Sequence, residues 1–229
     1  MPAIFQKIEP ISKKARIVSS LREAIISGAI RSGEQIVEGK LAQQLGVGQG
    51  LIREALIELE HQGFVQRIPF AGTQVTELTL QDAQQIYDLR IELEPLAFFL
   101  AGPKAQAQHI SEFREMSEKS KIASKAGDLE AFFENHLALR SKVWTLSGNR
   151  YLQQTLERVV IPLYALYVIR QSYNLEGILQ TTFDCTEHQD QILAAYEQKN
   201  FEEAREVARS FLKRMKEYLG TRLPPASGI

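Results

Sequence analysis

Three side chains spread along the chain could do chemistry together: His136, Arg140 and His188. His136 and Arg140 stand four residues apart in a stretch of helical period, so they share one helix face. As a set the three could act as acid, anion clamp and base, yet no nucleophile and no carboxylate pair accompanies them. A metal is the other chemistry that histidines suggest. Arginine stays protonated and has no lone pair to donate, and a divalent ion normally takes three or four protein ligands. A histidine on an apolar helix face is more often a satisfied core residue than a ligand. Spacing alone leaves these readings open.

The elements that must position such residues can be read in order. Ser12 to Ser27 places Ala15, Val18, Leu21, Ala24 and Ile25 on one face, an amphipathic helix. Its basic residues Lys13, Lys14 and Arg16 oppose the helix dipole, so they do not serve helix stability. Phosphate contact and a solvated face account for them equally. Val37 to Leu45 is a short amphipathic helix, Gly46-Val47-Gly48 breaks it, and Gln49 to His61 restores the period through Ile52, Leu56 and Leu59. Gly63 ends that helix, since it accepts positive φ. Phe64 to Ile68 alternates apolar and polar residues, and Pro69 to Gly72 turns the chain into Thr73 to Val75. Two short helices, a tight turn and a hairpin predict a winged helix-turn-helix over residues 1–76, with residues 1–10 as an arm. The second helix of that motif enters the DNA major groove. There Arg53 can reach guanine or clamp a phosphate, and Gln49 can read adenine. An exposed ion pair with a glutamate is the plainer reading of Arg53.

No strand signal follows Val75. Thr79-Leu80-Gln81-Asp82 caps a helix running to about Ala101, which Pro95 should bend. Further helices are expected over Lys104 to Ala126, Leu129 to Ser147 and Arg150 to about Ser172. A loop around Asn174 to Gly177 precedes helices near Phe183 to Gln198 and over Phe201 to Leu219. Residues 77–229 thus predict an all-helical bundle, and the whole chain a mainly α protein of two domains.

One stretch is more specific. SGE with LAQQLGV, then REAL, LE, GFV and the wing glycine Gly72, resembles the winged-helix module of the GntR regulators. The remainder resembles their FadR-type, FCD effector domain. Gly72 matches the family's minor-groove-facing wing glycine, and with Lys40, Gln49, Arg53 and Thr73 it makes up the expected DNA-contact set. The chain also departs from the family. Gly48 to Leu51 is Gly-Gln-Gly-Leu where Ser-Arg-Thr-Pro is usual, and Gly39 stands where an arginine is common, so two base-reading arginines are absent. The family's effector domain holds a metal on an aspartate, a histidine four residues later, and two more histidines. Registered on Leu146-Ser147-Gly148-Asn149 and on Glu187-His188, these positions become His136, Arg140, His188 and Phe211. The resemblance therefore implies a degraded metal site and no cofactor. Arg140 then takes the metal's part, with Arg90 (from the motif Tyr87 to Glu92) completing an effector site for a small carboxylate. Ion pairing of Arg90 with Asp88, Glu94 or another helix is its alternative. Tyr164, Tyr167 and Tyr173 line such a pocket or simply fill core.

Composition agrees. At 44% hydrophobic residues the chain can build an ordinary core, and the single cysteine, Cys185, excludes an intramolecular disulfide. No apolar run suits a signal peptide or a bilayer span, so a cytoplasmic protein without membrane partners is expected. Residues 1–76 carry nine Lys/Arg against seven Asp/Glu, a mildly basic balance that fits a DNA-facing module. The expected function is a homodimeric transcriptional repressor that binds double-stranded operator DNA under control of an organic acid. It is not expected to be an enzyme. The alternatives are a ligand-binding protein of this fold with weakened DNA binding, and an enzyme built on His136, Arg140 and His188.

Overall fold

The structure, a computed structural model, describes residues 12–170 and 175–222, with side chains for 12–165 and 185–218. The expected arm, the side chains of Tyr167 and Tyr173, and the start of the expected loop at Asn174 lie outside these residues. The chain divides into two compact units, Met1–Thr76 and Glu77–Ile229.

The first unit holds helices α1 (Lys13–Ile26), α2 (Glu38–Leu45) and α3 (Gln49–His61), with strands β1 (Gln35–Ile36), β2 (Val65–Ile68) and β3 (Gly72–Val75). Ser12 caps α1 by accepting from the Ala15 N–H. α1 buries Ile17, Val18, Leu21 and Ile25, and α3 buries Ile52, Ala55, Leu56 and Leu59 against it. Ala15, expected on that face, is exposed, and Ile17 takes its place. The sheet is antiparallel in the order β1-β3-β2. β1 has no signal in the sequence, because two residues carry no alternation. It pairs Gln35 with Gln74 and Ile36 with Thr73.

The wing turn has an unusual residue. The Ala71 N–H donates to the Ile68 carbonyl at 3.0 Å, and Phe70 lies at φ +67°. A side chain in that left-handed region costs about 1–2 kcal/mol relative to glycine.

The second unit contains α4 (Leu80–Ala101), a 3₁₀ turn (Gly102–Lys104), α5 (Ala107–Ala126), α6 (Leu129–Leu146), α7 (Arg150–Arg170), α8 (Leu175–Glu197) and α9 (Phe201–Arg222). Among the described residues it has no strand. The caps follow sequence chemistry. Thr79 and Asp82 form a reciprocal capping box, Asp128 accepts from the Ala131 N–H, and Asn200 accepts from the Glu203 N–H. Two expectations are corrected. α5 starts at Ala107 because Gly102–Lys104 forms a separate 3₁₀ turn. α8 starts at Leu175, well before Phe183, and runs through Gly177. One helical glycine costs about 1 kcal/mol, too little by itself to end a helix. α4 packs along α9, α5 lies against α6 and α8, and α7 against α4 and α6. No helix among the described residues is long and apolar enough to cross a membrane.

Candidate functional site

The buried stripe of α4 runs Ala83, Tyr87, Arg90, Ile91, Glu94, Ala97, Phe98 and Ala101. Helical period thus carries one cation and one carboxylate into the core along with apolar neighbours. The stripe of α6 does the same with His136 and Arg140, set among Phe132, Phe133, Leu139 and Val143. α8 contributes His188 and Gln189, and α7 contributes Tyr164. These polar side chains are all at least 95% removed from solvent.

Glu94 joins the two cations. Its carboxylate accepts from Arg90 through one oxygen and from Arg140 through the other. Arg140 also donates to His136 Nε2 at 3.0 Å and to His188 Nε2 at 3.1 Å. Arginine only donates, so both histidines present a lone pair at Nε2. His136 Nδ1 lies 2.7 Å from the Gln189 side-chain Nε2. A neutral His136 carries its proton on Nδ1, so the Gln189 amide has to turn its oxygen, which has no other partner among the described residues, to this ring nitrogen. Rings enclose the set. His136 stacks between Phe132 and Tyr164, at 5.5 and 5.7 Å between centroids, and Phe211 lies flat on His188 at 3.6 Å. The Arg90 guanidinium sits 4.6 Å from the Tyr87 ring centre.

Electrostatics follow from this geometry. Burial alone would raise the Glu94 carboxyl, but the Arg140 and Arg90 charges overcome it and hold the group below its ordinary value. Burial, with Arg140 beside it, drives His136 well below its ordinary 6.5. Because the folded value is depressed, the contribution of His136 to stability is present above 6.5 and is lost as pH falls from there towards the folded value. The helical domain should therefore lose stability on acidification from pH 6.5, with a urea midpoint that falls when followed by the fluorescence of its buried Trp144. His136→Gln should flatten that slope. A midpoint that does not move between pH 6.5 and 5.5 would exclude a neutral, buried His136.

All four expected effector residues are brought together in this cluster. In the sequence Glu94 stands out only as a pairing partner for Arg90, and nothing there marks Gln189. The Arg90/Glu94 spacing of four was the available signal for the first. Tyr164 lies against His136, while Tyr167 falls outside the described side chains.

The donor set does not fit the family's divalent metal. Both His Nε2 atoms face a guanidinium, His136 Nδ1 faces Gln189, and Phe211 covers His188. A divalent ion would have to displace a fixed cation from among its own ligands. Among the described residues, no group of three or more His, Cys, Asp or Glu side chains could hold a metal.

In the first unit, Lys40, Gln49 and Arg53 are exposed on α2 and α3. Arg53 pairs with Glu38 at 2.9 Å, with 60% of its side chain exposed. Such an exposed pair contributes little to stability and is readily exchanged for a phosphate. A Cβ on Gly39 would come within 3.2 Å of the Gln49 amide, so Gln49 occupies space beside the position where the family has arginine. Lys14 is drawn into an ion pair with Glu58 at 3.2 Å, and the Arg22 guanidinium lies 5.3 Å from the Phe64 ring centre. Gly72 is exposed beside the wing tip at φ +89°. Thr73 is a correction to the expected contact set. It sits in β3, the central strand, and is only 5% exposed, so its side chain is not available to a groove.

Comparison with known proteins follows the same division. Residues 13–75 match the family described as bacterial regulatory proteins, gntR family, and residues 85–214 match the FCD domain. The uncharacterized HTH-type transcriptional regulator YdhC of Bacillus subtilis (strain 168) is 31% identical over 157 residues, 68% of this chain and 70% of that protein. The gluconate operon transcriptional repressor of Bacillus licheniformis is 32% identical over 121 residues, 53% of this chain and 49% of that protein. The solved structure of E. coli McbR/YncC shares the fold, with a TM-score of 0.68 at 23% identity over 93% of this chain and 99% of that one.

Proposed function

The chain belongs to the GntR family of bacterial regulatory proteins and carries an FCD domain, and from that premise we propose that it is a cytoplasmic repressor controlled by a small organic acid. DNA binding and effector binding are the family's functions, and the relatives are transcriptional regulators rather than enzymes. The repressor role has support in the similarity to the gluconate operon repressor.

One observation carries the effector reading. Two fully buried guanidiniums, Arg90 and Arg140, share the single carboxylate of Glu94. Among the described residues of this cluster, positive charge exceeds negative, and an isolated buried charge is costly until paired. An anion supplies what the cluster lacks, and the planar fork of Arg140 suits a carboxylate. His136 and His188 would orient that fork, and Arg90 would hold Glu94. The site works without a metal in this reading, because Arg140 provides the cation. Denaturing freshly purified protein and weighing the released small molecules by mass spectrometry tests it. A carboxylate recovered in stoichiometric amount, and able to change DNA affinity when added back, is the expected result. A neutral ligand would overturn it.

On the DNA side, Lys40, Gln49, Arg53 and Gly72 are the contacts. With two base-reading arginines absent, phosphate contacts and Gln49 carry more of the binding. Arg53→Ala should weaken binding by about 1–3 kcal/mol, with a shallower salt dependence if it contacts phosphate. Unchanged affinity would return Arg53 to its role as the partner of Glu38.

One helix-turn-helix reads few base pairs, so a homodimer on paired half-sites is the expected assembly. The helical domain is its proposed interface. A fragment covering residues 77–229 should sediment as a dimer, and a monomer would move the interface elsewhere.

A further inference from the structure

The wing tip combines two unfavourable features in one residue. Phe70 is fully exposed, at 111% of its reference area, and its backbone lies at φ +67°. The hydrogen bond from the Ala71 N–H to the Ile68 carbonyl makes Pro69 and Phe70 the central pair of a turn. Positive φ at the second central residue marks type II, where glycine or asparagine is the ordinary occupant. A phenylalanine there gains no burial in return, so its use lies outside the free unit. Strained, bulky residues of this kind concentrate where a ligand or partner is met.

The surroundings narrow the partner. Pro69, Phe70, Ala71 and Gly72 are all exposed and uncharged, so the tip is not built to hold a phosphate. It is braced, because the side-chain amide of Gln35 in β1 donates to the Ala71 carbonyl. A rigid, apolar, aromatic point on the wing of a DNA-binding module matches one feature of duplex DNA. That feature is the stacked base step, which an apolar side chain can open from the minor groove.

We infer that Phe70 is a wedge: its ring enters a base step from the minor groove, partly unstacks it and bends the operator. This rests on the winged helix as the DNA-contact module, and the test separates the two. The full chain first selects a duplex from a random pool. The affinity, salt dependence and end-to-end distance of that duplex, by fluorescence energy transfer, are then compared for wild type, Phe70→Leu and Phe70→Gly. Phe70→Gly relieves the backbone and should fold at least as stably as wild type. It should bind about tenfold or more weakly, with an unchanged salt slope and a straighter duplex. Phe70→Leu, still apolar, should keep part of the bend. A Phe70→Gly protein that binds and bends like wild type overturns the wedge and leaves the contact module standing. A loss of affinity with no change in bend overturns it as well. If the wild type selects no duplex, both readings fall.

Discussion

Replacing Glu94 with glutamine should cost the helical domain about 3–5 kcal/mol of stability, the scale set by breaking a buried ion pair from one side. The shape is nearly kept and the charge is lost. Arg90 and Arg140 both donate to this carboxylate, and both guanidiniums are at most 2% exposed. Neither can turn to water, so two cations are left facing each other across a neutral amide. The chain's single tryptophan, Trp144, is fully buried in the same domain, and its fluorescence during urea denaturation reads that domain alone. Glu112→Gln is the control. Its partner Lys142 is 46% exposed, so that loss should be small beside the loss at Glu94. If the two variants lose similar stability, Glu94 is not the hub of the buried charges. Adding Arg140→Met to Glu94→Gln should restore part of the loss, because contacting residues in one network are not additive.

Arg140→Lys should strip the effector from the protein although the charge is retained. Arg140 uses its fork on three partners at once: Glu94, His136 and His188. A lysine ammonium is a point charge on a flexible stem and cannot meet three fixed acceptors while presenting a planar pair of donors to a carboxylate. The affinity loss for a desolvated charge pair is about 2–5 kcal/mol, enough for the variant to purify empty where the wild type keeps its ligand. Mass spectrometry of both proteins checks this. DNA binding without effector should be unchanged, since the DNA-contact residues belong to the other unit. Elemental analysis guards the interpretation. A stoichiometric transition metal, lost on His188→Ala, would show that histidines rather than Arg140 organise the site.

Elements of local origin are legible in consecutive residues. The α2–turn–α3 module, the αL glycines Gly46 and Gly63, the Thr79 box and the caps at Asp128 and Asn200 all rest on interactions within a few residues. Spacing likewise placed His136 with Arg140 on one face, and Arg90 four residues before Glu94. The partners of the buried charges, by contrast, come from packing. Arg140 meets Glu94 across 46 residues and His188 across 48, because α4, α6 and α8 turn their buried stripes to one centre. Nothing local distinguishes a guanidinium that awaits a ligand from one already held by a carboxylate. The same holds at Thr73, which sequence placed on the wing and which pairing with β1 and β2 buried. It holds at Phe70 too, whose exposure and positive φ exist only once the hairpin closes around Pro69. Local propensity and short-range hydrogen bonds are written in consecutive residues, whereas burial and charge pairing depend on which surfaces meet after the chain has folded.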